Sequence, residues 1–135
     1  MYYDKLDTRR IKSLTIDLEI VTNEMTANKK FRSGGNYLED VRTIFPELIN
    51  KLIENYDLCQ IGHYENMGIA FVFSCNIDME GKSVFNTDPQ YNLIKITNVS
   101  RKDELLHYEQ FADHGAKSQK LKNEWYYIEQ QIYFD

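Results

Sequence analysis

Two prolines and six glycines in 135 residues are too few for a collagen-like or low-complexity chain. No apolar run approaches the roughly 18 residues that a membrane-crossing helix needs. The opening residues, Met1-Tyr2-Tyr3-Asp4-Lys5-Leu6-Asp7, lack the apolar core of a secretory leader, so a cytoplasmic protein with no membrane contact is expected. A basic surplus is missing as well. Sixteen Lys and Arg stand against twenty-one Asp and Glu, a net charge of −5, which argues against direct nucleic-acid binding. No repeat and no linker-like stretch divides the chain. The expectation is one α+β domain over residues 1–135.

The charge that is present is unevenly placed. Residues 1–35 carry seven basic and five acidic side chains, residues 36–91 three and nine, and residues 92–135 six and seven. The middle of the chain is therefore the acidic part. The abundance of Ile, Asn, Lys and Tyr beside scarce Ala, Gly and Pro is the habit of AT-rich coding, compatible with a low-GC bacterium or a phage or plasmid within one.

Residues 10–31 carry two conflicting periods. Ile11, Leu14, Leu18, Val21 and Met25 recur at helical spacing, while Leu14, Ile16, Leu18 and Ile20 alternate as in a strand. A helix would leave Ile16 and Ile20 opposite the buried stripe, yet the continuation through Met25 and Ala27 favours it. Asn36 and Glu39 then suggest a capping box opening a helix with apolar positions Leu38, Val41, Phe45, Leu48, Leu52 and Tyr56. Pro46 must kink or split that helix, because it removes a backbone donor and clashes with the preceding turn.

After Leu58 the period becomes two. Strands are expected at 58–64, from Ile69 toward Met79, at 82–86 and at 91–99, joined by short turns into an antiparallel four-stranded meander with helices packed on one face. Ser100 and Asp103 suggest a second capping box and a helix ending at Gly115. The last stretch reads as helix through Leu121, Trp125, Ile128 and Ile132, although its end also suits a strand.

Candidate chemistry is sparse. Cys59 and Cys75 have no zinc-ligand spacing; a three-residue loop closing at Gly68 would set them opposite each other, as reduced apolar side chains on the inner face or as a redox pair. His107 and His114 have no metal-ligand partner at helical spacing, and His63, expected inward across from Phe71, is the best candidate for a general base. No metal, cofactor or catalytic group is expected. Lys29, Lys30, Arg32, Gly34 and Gly35 before Asn36 outline a weak anion cradle without Walker spacing. Tyr126, Tyr127 and Tyr133 exceed what a small core needs and suggest a homodimer or partner contact.

With no assembled catalytic group, the acidic middle points toward protein binding. The expected partner is a nucleic-acid enzyme whose basic groove meets Glu39, Asp40, Glu47, Glu54, Asp57 and Glu65, as for an anti-CRISPR or anti-restriction inhibitor of a mobile element. An immunity protein that neutralises a toxin fits the same physics. A small nucleotide- or anion-binding enzyme or regulator built on the Lys29–Asn36 loop is the third reading.

Overall fold

A computed structural model describes residues 8–28, 30–31, 36–75, 90–107 and 117–129. They form an α+β arrangement around one antiparallel sheet. The elements are α1 (Thr8–Ala27), α2 (Leu38–Ile44), α3 (Pro46–Tyr56), β1 (Leu58–Tyr64), β2 (Gly68–Phe73), β3 (Tyr91–Ile96), α4 (Lys102–Leu106), β4 (Lys117–Lys120) and β5 (Trp125–Glu129).

The helical period wins in α1 because it buries five residues, Ile11, Leu14, Leu18, Val21 and Met25. The competing alternation would have buried four. Its cost is visible: Ile16 and Ile20 remain 58% and 48% exposed. Pro46 splits the next helical segment, with Phe45 between α2 and α3 and the proline in the first turn of α3, where its missing N–H costs nothing. Asp57 ends α3 in the left-handed conformation (φ 57°) and donates its N–H back to Ile53.

The capping box at Asn36 does not form. Glu39 instead pairs with Arg42 at 3.4 Å, and Asn36 turns toward the sheet. Its Oδ1 accepts the N–H groups of both Leu38 and Ile61, its Nδ2 donates to the Cys59 carbonyl, and the Tyr37 N–H donates to the Ile61 carbonyl. Residues 36–37 thereby cover the outer edge of β1, satisfying groups that an edge strand leaves open.

The sheet has five strands in the order β1-β2-β3-β5-β4, not four in a meander. β3 pairs directly with β2, from Gly68 against Ile96 to Phe73 against Tyr91, so no strand at 82–86 lies between them; that segment is outside the described residues. The β1–β2 register sets Tyr64 against Gly68 and Ile61 against Phe71. Asn66 supplies the positive φ of the turn at 62°, not Gly68. The register differs from the expected one by two residues, which preserves the period-two assignment of faces.

The expected C-terminal helix is a hairpin. Asn123 and Glu124 both have positive φ (59° and 61°) and Trp125 donates its N–H to the Lys122 carbonyl, the backbone pattern of a type I′ turn. Aromatic and β-branched residues in Trp125–Ile128 suit a strand, and a strand between β3 and β4 buries both of its faces.

The sheet is buried on two faces rather than one. Ile61, Ile69, Phe71, Phe73, Leu93, Trp125 and Tyr127 meet the apolar stripes of α1, α2 and α3. On the reverse face Ala70, Ile94, Ile96, Tyr126 and Ile128 cluster with Met67 and Leu105. Burial on both sides explains why β2 is apolar at every position. The helix expected after Ser100 is shorter: Asn98 caps a 3-10 turn at Val99–Arg101 by accepting the Ser100 N–H, and α4 ends before His107. Tyr108, Ala112 and Gly115 lie outside the described residues. No described helix is long and apolar enough to cross a membrane.

Candidate functional site

Glu39, Asp40, Glu47, Glu54 and Asp57 are all exposed on α2, α3 and the α3 cap. Two basic residues, Arg42 and Lys51, share this segment, and both are engaged: Arg42 with Glu39, and Lys51 with Asp17 of α1 at 3.5 Å. Five carboxylates against two committed cations leave the α2–α3 surface acidic, while Leu38, Val41, Ile49 and Leu52 anchor its underside in the core. Glu47 and Glu54 are seven residues apart on α3, and so share a face about 10 Å apart. Glu65 does not belong to this surface. It sits at the far end of β1 from Asp57, roughly 25 Å away along an extended strand.

Other expected site residues fall differently. Tyr126 and Tyr127 are 5% and 3% exposed, on opposite faces of β5, so neither is surplus surface. Tyr127 stacks with Tyr91 at 5.5 Å and its hydroxyl donates to Glu129. Tyr133 lies outside the described residues, as do Lys29, Arg32, Gly34, Gly35 and His114. Lys30 is exposed, and its backbone N–H donates to Asn28 Oδ1.

Cys59 and Cys75 are joined by a disulfide, against the expectation of reduced, buried thiols. Both are partly exposed rather than on the inner face. A register shift between Leu58 and Gln60 bulges β1 at Cys59, and Ser74, with φ 57°, ends β2 and redirects Cys75. The bridge closes the end of the β1–β2 hairpin nearest α3.

His63 lies across from Ile69, not Phe71, and its Nδ1 is 2.8 Å from the Phe31 carbonyl oxygen. It lines a cleft of about 660 Å³ with Met25, Asn28 and Phe31 on one side and Glu65 and Asn98 on the other. Those residues come from three separated segments, which is why sequence spacing shows no such cleft. His107 is exposed with its Nδ1 2.7 Å from the Asp103 carbonyl, a cap on α4. Among the described residues no group of three or more His, Cys, Asp or Glu could hold a metal ion. The Arg101 guanidinium, hydrogen-bonded through two nitrogens to Glu104, lowers that exposed carboxyl below its ordinary value.

Comparison with known proteins finds no matching family model, curated protein or solved structure.

Proposed function

We propose that this chain is a protein-binding inhibitor whose acidic α2–α3 surface occupies the basic groove of a nucleic-acid enzyme. The observation that carries the reading is the exposure of Glu39, Asp40, Glu47, Glu54 and Asp57 on a helical pair whose only basic residues, Arg42 and Lys51, are engaged in ion pairs. Carboxylates held by a packed helix keep their spacing, so they can take the place of phosphates opposite Lys and Arg at little ordering cost. Such a surface raises the encounter rate and discourages acidic partners more than it adds affinity.

The reading makes the chain a binding module rather than an enzyme, in keeping with a mobile element's defence against a CRISPR or restriction effector. A cytoplasmic site of action goes with it, and there thiol reductants would hold Cys59–Cys75 bridged only transiently. The test is affinity capture with the wild type beside an Asp40→Lys, Glu47→Lys, Glu54→Lys variant, followed by competition against the captured enzyme's own nucleic acid. The wild type should displace the nucleic acid and the variant should not. Capture of a toxin without nucleic-acid substrate would favour an immunity role instead, and equal behaviour of the two proteins would refute the acidic-surface reading.

A further inference from the structure

The Cys59–Cys75 bridge sits where α3, β1 and β2 meet. Leu58 pairs with Phe73 and Gln60 with Val72, so Cys59 is the extra residue of the bulge and has no cross-strand partner of its own. Two residues before it, Asp57 caps α3 in the left-handed conformation, and Ser74, the residue before Cys75, has the same φ of 57°. The Ser74 N–H donates to the Asp57 carbonyl at 2.9 Å, so one hydrogen bond and one disulfide tie the end of β2 to the cap of α3. A non-glycine residue in that region of backbone space costs energy and persists only where its surroundings hold it there.

Two observations mark this bridge as one that opens. Leu58, Ile61, Val72, Phe73 and Ser74 around it are buried, whereas both cysteines are partly exposed, and exposed disulfides are the labile ones. The reduced state also has an acceptor in place. Cys59 Sγ lies 3.1 Å from the Val72 carbonyl oxygen, where a bridged sulfur has no proton to donate and a thiol has one. The sheet does not depend on the link, because Leu58, Ile61, Phe71 and Phe73 lie in the main apolar cluster. A disulfide acts mainly by restricting the unfolded chain, so opening it leaves these native contacts standing.

From these features we infer that Cys59–Cys75 is a redox-sensitive latch on the C-terminal end of α3, opened by a dithiol and closed again by a disulfide oxidant. In the opening step one thiolate of the dithiol attacks a bridge sulfur, forming a mixed disulfide and releasing the other cysteine as a thiolate. The second thiolate of the dithiol then displaces the remaining protein sulfur. Two electrons pass to the protein, the two protons given up by the dithiol end on Cys59 and Cys75, and the dithiol leaves as its own disulfide. The Cys59 thiol then donates to the Val72 carbonyl, and the Ser74–Asp57 hydrogen bond, no longer backed by the bridge, exchanges between made and broken. Asp57 belongs to the acidic surface, but the latch does not depend on what that surface binds.

The experiment records backbone amide spectra and nitrogen relaxation of the full chain, purified without reductant, before and after dithiothreitol is added at neutral pH without denaturant. Alkylation with iodoacetamide reads the free thiols in each state. Dithiothreitol should make both cysteines alkylatable. In the reduced protein the order parameters of Asp57 and Ser74 should fall from about 0.85 to below about 0.6, while those of Ile69, Leu93 and Tyr127 stay unchanged. Removal of dithiothreitol and addition of oxidised glutathione should restore the first spectrum. The Cys59→Ser, Cys75→Ser double variant should show the loosened joint from the outset and no response to dithiothreitol; if it does not fold, the two wild-type states decide alone. Free thiols before reduction, opening only in denaturant, a reduced chain that loses its sheet, Asp57 and Ser74 as rigid after reduction as before, or a folded double variant that responds to dithiothreitol would overturn the inference.

Discussion

The Trp125 indole donates its Nε1–H to the Glu19 carboxylate at 2.9 Å, joining the middle of α1 to the start of β5. The same carboxylate receives the ammonium of Lys95 from β3, which also lies 5.6 Å from the centre of the Trp125 ring. Glu19 thus positions α1 over two adjacent strands.

Removing that carboxylate leaves the Trp125 N–H without its acceptor and takes the counter-ion from Lys95, whose ammonium keeps only the Asn123 carbonyl. Glu19→Ala should lower unfolding free energy by about 2–3 kcal/mol, whereas Glu19→Gln, which keeps an acceptor for the indole, should lose about 1 kcal/mol. Chemical denaturation with tryptophan fluorescence measures both. Equal losses would mean that the packing of α1, and not this polar tie, sets its position.

Asn36 makes a second long-range tie. Its three hydrogen bonds, to Leu38, Cys59 and Ile61, close the β1 edge, so Asn36→Ala should cost about 2 kcal/mol and speed amide exchange at Ile61. Asn36→Asp retains the double acceptor and should cost less. Unchanged exchange at Ile61 in the alanine variant would contradict the edge role.

The parts of this fold that were legible in the sequence are those that local rules decide. Pro46 divides α2 from α3 for steric reasons, and β1 has the expected limits because Asp57 and the Glu65–Met67 turn punctuate it. Long-range choices were not legible. Nothing local tells Tyr91–Ile96 to pair with β2, or tells Asn36 to prefer the Ile61 N–H over a capping box. Leu121, Trp125 and Ile128 fit both periods, and burial on both faces of β5 decided for the strand. The acidic surface was readable because charge and helical period are local properties, apart from Glu65, which a neighbouring sequence position placed on the wrong side of β1. The buried positions of Tyr126 and Tyr127 depended on the second covered sheet face.

Gly68 is required by a close approach. A Cβ there would lie 2.2 Å from the Lys95 carbonyl oxygen and 2.8 Å from Leu105 Cδ2. Gly68→Ala should therefore destabilise by about 3 kcal/mol, near the upper end for overpacking, because the nearest obstacle is backbone. A melting temperature equal to that of the wild type would show that β3 can move aside.

The Cys59–Cys75 bridge spans a sequence separation of sixteen residues. Closing a loop of that size stabilises by about 3 kcal/mol through the unfolded chain. Peptide mapping without reductant should recover the linked pair, and the Cys59→Ser, Cys75→Ser double variant should lose about that much stability. Equal stability of oxidised and reduced protein would make the bridge incidental.

The central claim concerns the acidic α2–α3 surface, and its most direct test is the association rate constant with the captured enzyme as salt is raised. For the wild type the rate should fall steeply as the screening length shrinks from about 10 Å at 0.1 M toward about 3 Å at 1 M. For Asp40→Lys, Glu47→Lys, Glu54→Lys it should start lower and vary little with salt. A rate indifferent both to salt and to this charge reversal would contradict the account.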